Sequence, residues 1–435
     1  MGSHVVGNRA GRRARRRVYV RRTLAAAALC AIGLTSAVAA PAAADPGTGS
    51  DAGTGTRLDN GQCNVQAGSI KGTPWSLQRL LTDQMWADTK GKDANGRAVK
   101  VAVIDTGVDK GNRQIGGALS GGKDFIGKGD GTSDTVGHGT KVAGIIAARK
   151  VPSVGFFGIA PEATIIPIRQ NDDEQHGNVG TMEKAINYAI AQGADIINIS
   201  QGTTQQLPPN SILEQAVDKA RKANVLIVAS AGNDGASGRQ KDTYPAAFEG
   251  VLGVAASDRS NERAGFSQAG EHVDIAAPGV DMVSTVPGGG HCVDQGTSFA
   301  APYAAGVAAL LKAKHPEWTP DQIIWHMEQT ADRVEPGRTD NIGWGVVDPV
   351  AAMSDNTTPT AEPTPDTHRN EAGAAHIKPA HLIVGESPQE RRTRYGVYVF
   401  TAGLLAIGVI VGSGVAIRDW RRKTSTSTHG EAIHG

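Results

Sequence analysis

The chain has 435 residues, enough for one large domain with appendages. Lys and Arg number 44 against 43 Asp and Glu, a formal charge of +1, so nothing in the bulk charge argues for a nucleic-acid partner. Only 4% of residues are aromatic and 56 are glycine, which suits tight turns and close packing of small side chains.

The basic residues are unevenly spread. Arg12, Arg13, Arg15, Arg16, Arg17, Arg21 and Arg22 crowd the N-terminus, and an Ala-rich apolar run follows from Leu24 to Ala40. Ala42-Ala43-Ala44 then offers a small-x-small cleavage site, so residues 1–44 are expected to be a signal peptide cut near Ala44. Arg16-Arg17 has the form of a twin-arginine signal, but arginines are too dense here for the pair to carry weight. Cys30 lies inside the apolar run and reads as a residue discarded with it. Export leaves Cys63 and Cys292 in an oxidising compartment, where they allow one intramolecular pairing. A Cys63–Cys292 disulfide is expected; two unpaired thiols are the alternative.

Residues 45–75 form an N-terminal extension, Gly/Asp/Thr-rich over 45–60. The globular domain is placed at 76–352. Within it, short apolar runs read as buried strands: Val99 to Ile104, Ala163 to Ile168, Ile196 to Ile199 and Val225 to Ala229. Helical patterns lie between and after them: His138 to Ala148, Val179 to Gln192, Ile212 to Ala223 and Thr297 to Lys314. This alternation predicts a mostly parallel sheet covered on both faces. In such sheets functional residues collect at the carboxyl ends of strands, which singles out Asp105, Ser200 and Asn233. Residues 353–395 are rich in Thr, Pro and Glu and read as an extended linker. The uncharged apolar run 396–417 is long enough to span a bilayer as a helix. Arginines flank both its ends, so flanking charge does not orient it. The cleavable signal does: the domain is placed outside the membrane and the tail 418–435 in the cytoplasm.

Three segments carry chemistry: Asp105-Thr106-Gly107, His138-Gly139-Thr140 and Gly296-Thr297-Ser298. A serine nucleophile needs an imidazole to take its proton and a carboxylate to fix the imidazole tautomer. Ser298 opens a long helix, whose free N–H groups suit a developing oxyanion. Each segment alone has a bland reading as turn, cap or core. A paired-aspartate protease would need a second Asp-Thr-Gly or Asp-Ser-Gly loop, and the sequence has none.

Together, Val103-Ile104-Asp105-Thr106-Gly107-Val108, Gly137-His138-Gly139-Thr140-Lys141-Val142-Ala143-Gly144 and Gly296-Thr297-Ser298-Phe299-Ala300-Ala301-Pro302 resemble the subtilisin family. The resemblance implies a three-layer α/β/α sandwich with a mainly parallel sheet and catalysis by Asp105, His138 and Ser298. Ala229-Ser230-Ala231-Gly232-Asn233-Asp234 resembles the family's oxyanion segment, implying that the Asn233 amide and the Ser298 N–H donate to the oxyanion. Asn198-Ile199-Ser200-Gln201-Gly202 resembles the edge that pairs with substrate backbone, implying a binding role for Ser200 and Gly202; Gln201 is unusual there. Calcium often stabilises this family, but Asp130, Asp134, Asp172, Asp173 and Glu174 form no spaced ligand motif and read as solvated loop charge. No metal or cofactor is expected.

Between Ala44 and the domain there is too little chain for an independently folding prodomain. The extension is expected to pack on the domain. The whole layout, with Thr73-Pro74-Trp75 in a Cys-bearing extension, resembles the mycosins, subtilisin-like proteases of type VII secretion systems. That resemblance implies polypeptide substrates and a membrane-embedded secretion complex as partner. A general cell-surface protease and a mainly structural subunit are the alternatives.

Overall fold

The computed structural model describes residues 68–171, 177–238, 240–366 and 388–426. The expected signal peptide, most of the extension, Cys30, Cys63, Asp172, Asp173 and Glu174 lie outside them. Two short helices, α1 (Trp75–Gln78) and α2 (Thr82–Met85), lead into the first strand, β1 (Lys100–Asp105). There follow β2 (Lys123–Asp124), α3 (His138–Ala147), β3 (Thr164–Arg169), α4 (Val179–Ala191), β4 (Ile196–Ile199), α5 (Ile212–Lys222), β5 (Leu226–Ser230), β6 (Val251–Ser257) and β7 (Ile275–Pro278). A hairpin, β8 (Met282–Thr285) and β9 (His291–Asp294), precedes α6 (Thr297–Lys314), α7 (Pro320–Gln329) and α8 (Pro349–Ser354).

The main sheet runs β2-β3-β1-β4-β5-β6-β7, and every neighbouring pair is parallel. Inside the edge strand β2, its strands are largely apolar and buried on both faces, as a sheet covered on both sides requires. Strand periodicity sorts β1 between two cores: Val101 and Val103 pack with α3 and α6, whereas Ala102 and Ile104 pack with α4 and α5. The three-layer α/β/α sandwich follows. Helix α6 is buried from Thr297 to Ala313, so its Ala-rich sequence serves close approach to the strands on which it lies.

The four anticipated strands and four anticipated helices form, with ends displaced by a residue or so, as helix and strand termini commonly are. Strands β6 to β9 were not legible. Gly253 and three alanines or serines dilute the β6 pattern, and β8 and β9 are four residues each. The expected linker also differs at its start. Pro359 is buried, Gln322 Nε2 donates to its carbonyl (3.3 Å), and Arg333 pairs with Asp366 (2.8 Å). Residues 355–366 therefore lie on the domain. Prolines hold this segment extended and lack N–H donors, so it can lie along a surface without a partner strand.

What is described of the extension packs on β9. Gly68 O accepts from His291 N (3.1 Å), and Ile70 N donates to His291 Nδ1 (3.2 Å). The last helix, α9 (Pro388–Thr426), contains a stretch, Arg391–Arg422, long and apolar enough to cross a membrane.

Candidate active site

Strand β1 ends at Asp105 and α3 begins at His138, and glycine lets the two meet. A Cβ on Gly139 would lie 2.0 Å from Gly107 O and 3.2 Å from Asp105 Cβ. No side chain fits there, so any substitution would push α3 from β1. With glycine, His138 Nδ1–H donates to Asp105 Oδ1 at 2.7 Å. Asp105 is wholly buried, and Thr106 N donates to the same oxygen (2.8 Å). The Asp105 bond fixes the proton on Nδ1 and leaves Nε2 as the ring nitrogen able to accept one. Burial pulls the His138 pKa down, but the charge and hydrogen bond of Asp105, helped by Asp134, more than offset it. The imidazole is held above its ordinary value.

The His138 ring packs against Phe299 with centroids 5.3 Å apart, which sets it beside the first turn of α6. Ser298 is buried in that turn. Four residues on, Pro302 sits inside the helix and has no N–H to offer the Ser298 carbonyl. Gly296, at φ 151° and ψ 159°, enters the helix where a side chain would collide. A Cβ there would lie 2.9 Å from Ser298 Oγ and 3.4 Å from Asn233 Nδ2. Those two atoms therefore face one small volume, kept open by the missing Cβ.

Asn233 follows β5 and is exposed. Its Oδ1 accepts from Thr297 N and from Thr297 Oγ1, both at 2.9 Å. Both donors are on the oxygen, so the amide orientation is settled and Nδ2 is left to donate. This is the layout an oxyanion site needs: a fixed donor beside the start of a helix.

Ser200 lies just past β4, buried, with Asn198 Nδ2 donating to its Oγ (2.9 Å); Gly202 is exposed two residues on. Beyond it, Thr203 and Tyr244 exchange backbone hydrogen bonds (2.9 Å each). A cavity of about 420 Å³ opens along this edge, walled by Gln201, Gly202, Met182, Leu213 and Tyr244. Gln201, the unusual residue, donates its side-chain amide to Gln170 Oε1, and Gln170 is fully buried.

Asp134 is a positioning residue beside the site that the sequence does not reveal. Its sequence context reads as solvated loop charge, yet it is 6% exposed. Its Oδ1 accepts from Thr106 Oγ1 (2.9 Å), Val136 N (3.1 Å) and Gly137 N (2.7 Å), and its Oδ2 from Thr140 N (2.8 Å) and Thr140 Oγ1 (2.6 Å). Burial pushes its carboxyl above the ordinary range, against the pull of these donors. Asp134 thus ties the residue after Asp105 to the residues flanking His138. The readable signal was Thr at 106 and 140, each two positions or fewer from a motif residue, with an acid between them in sequence. Among the described residues no three His, Cys, Asp or Glu side chains are placed to hold a metal.

Cys292, on β9, is buried. Its expected partner, Cys63, lies outside the described residues.

A model of the subtilase family matches residues 96–345. Subtilisin BL of Lederbergia lenta is 38% identical over 279 residues, 64% of this chain and 98% of that protein. Subtilisin E of Bacillus subtilis is 38% identical over 259 residues, 59% of this chain and 66% of that protein. Among solved structures, the MycP3 protease from the type VII (ESX-3) secretion system matches with a TM-score of 0.60 and 31% identity, over 68% of this chain and 93% of that one. MycP1 from Mycobacterium smegmatis matches with a TM-score of 0.59 and 27% identity, over 76% of this chain and 93% of that one.

Proposed function

Since the chain belongs to the subtilase family and is a subtilisin-like serine protease, we propose that it is an extracytoplasmic endopeptidase, anchored by α9, acting with a type VII secretion system. Ser298 Oγ attacks the scissile carbonyl while His138 Nε2 takes its proton. Asp105 holds the imidazole tautomer and stabilises the imidazolium. Asn233 Nδ2 and the Ser298 N–H donate to the oxyanion of the tetrahedral intermediate. His138 then gives its proton to the leaving amine, and water hydrolyses the acyl-enzyme by the same route. The peptide pairs along Ser200–Gly202 in extended form, with a side chain in the adjoining cavity. The observation that carries this reading is the 2.7 Å bond from His138 to a fully buried Asp105, at the start of the helix that packs against Ser298's own.

The tie to type VII secretion is supported by the likeness to the MycP structures. The expected export signal supports an outward-facing domain, and a Cys63–Cys292 bridge would fasten the extension to β9. The test isolates the full chain from its native membrane in mild detergent. Co-purification of type VII membrane components, with peptide hydrolysis lost in Ser298→Ala, supports the whole reading. Hydrolysis without those components leaves a general surface protease. Secretion that survives Ser298→Ala but not loss of the chain makes the role mainly structural.

A further inference from the structure

A second cavity, of about 520 Å³, lies away from the catalytic residues, none of which lines it. Its walls are α7, the end of α5, the turn before β7 and the segment after α8 that carries Glu362. The cations around it are already engaged. Arg221 grips Asp321 through two nitrogens (2.9 to 3.3 Å) and Glu249 through a third (3.0 Å). Arg338 pairs with Asp340 (3.2 Å) and donates to the carbonyls of Gly270, Glu271 and Val273.

The acceptors are not so engaged. Glu328 is 5% exposed, and its Oε2 has no hydrogen-bond partner. His272, equally buried, donates from Nε2 to Ala231 O (3.1 Å), so its Nδ1 carries a lone pair, and that atom too has no hydrogen-bond partner. The nearest charge to Nδ1 is Asp242 at 3.7 Å. Asp274 accepts from Gly253 N (2.7 Å) and otherwise faces the cavity. Burial pushes Asp274 up to about 7 and Glu328 up to about 9, the latter raised further by Asp274. Even with Arg338 nearby, Glu328 is held protonated at neutral pH and Asp274 is poised near it; a further cation in the cavity would favour the ionised form of both. Trp325 and Trp344 add aromatic wall, and a guanidinium already packs on Trp344 from outside the cavity, with Arg333 Cζ 5.0 Å from the ring centre.

Buried acceptors without donors, beside aromatic rings, call for a planar group with several N–H donors and an apolar stem. A single metal ion does not suit these three side chains, which line one cavity but are not placed to share an ion, whereas a guanidinium spreads its donors over a wider plane. The volume suits a side chain. We infer that this cavity is a docking pocket for an arginine side chain of a partner polypeptide, bound by Glu328, Asp274 and His272.

The test uses the full chain in detergent, with Ser298 blocked by a sulfonyl fluoride so that the protease cleft is silent. Three probes are titrated by calorimetry: acetyl-Ala-Arg-Ala-amide, the same peptide with citrulline for arginine, and agmatine. The arginine peptide is expected to bind, the citrulline peptide at least tenfold more weakly, and agmatine more weakly than the arginine peptide. Glu328→Gln, which keeps the shape of the side chain, should weaken the arginine peptide at least tenfold. Glu362→Gln, at an exposed wall residue, should weaken it a few-fold. Equal binding of the citrulline peptide, unchanged binding by Glu328→Gln, or no binding of the arginine peptide at millimolar concentration would overturn the proposal. Agmatine binding more tightly than the peptide would overturn the polypeptide assignment. None of these outcomes depends on catalysis, so they are separable from the protease reading.

Discussion

His138 and His291 are both largely buried, and their surroundings drive them in opposite directions. His138 faces a carboxylate and is held above its ordinary pKa. His291 faces an amide: its Nε2–H donates to Gln114 Oε1 (2.7 Å), while its Nδ1 accepts from Ile70 N. Gln114 cannot turn round, because its Nε2 donates to the carbonyls of Arg149 (2.9 Å) and Phe156 (3.0 Å). Burial with no compensating charge pulls His291 down to about 4. One imidazole is built to change its protonation state, the other to stay neutral and hold the extension on β9. The comparison teaches that the second partner, more than burial, assigns a buried histidine its role.

Removing the charge at His138 should have the largest effect. Asp105→Asn keeps the shape but offers the wrong hydrogen-bond pattern to Nδ1; kcat/KM for a peptide substrate should fall by on the order of 10⁴. The matching change at the other histidine, Gln114→Glu, should leave kcat/KM within a few-fold. A comparable loss in both would break the contrast. Asn233→Ala should lower kcat by on the order of 10²–10³, the loss established for such an amide in a subtilisin, with little change in KM. Asp134→Asn removes a charged acceptor from five donors. It should cost on the order of 3 kcal/mol of stability, read from denaturant unfolding. It should also shift the acid limb of kcat/KM to lower pH, because Asp134 helps hold His138 up. A stability loss with an unmoved limb would make Asp134 purely structural.

The effect at His291 falls on stability and leaves the catalytic step untouched. The unfolded chain protonates this residue near pH 6.5, whereas the folded chain resists until about 4. Its contribution to stability is therefore full above 6.5 and is lost as pH falls from 6.5 to 4, a change of about 3 kcal/mol. Unfolding of wild type and His291→Asn, compared at pH 7 and pH 4, should show the gap between them closing by that amount. A gap that does not change with pH would mean that His291 is not held neutral.

Legibility in the sequence followed the range of the physics. Asp105, His138, Ser298 and Asn233 stand out in the sequence because the roles proposed for them demand fixed residue types at strand ends and helix starts, within short motifs. The sheet is readable where strands are short runs dominated by Val and Ile, as in β1 and β4. It was unreadable at β8 and β9, whose pairing depends on a turn and on each other. Asp134 looked like surface charge because its burial is created by Thr106 and Thr140, brought together only when α3 docks on β1. The acceptors of Glu328 and His272 are invisible for the same reason: α7 and the turn before β7 bring them to one cavity only in the folded chain.

The central claim is that Ser298 is the nucleophile and that His138, oriented by Asp105, activates it. The most direct measurement treats the full chain with a fluorophosphonate and maps the adduct by mass spectrometry. The adduct should fall on Ser298 alone, vanish in Ser298→Ala, and form far more slowly in Asp105→Asn. Labelling of another serine, or labelling at an undiminished rate in Asp105→Asn, would contradict it.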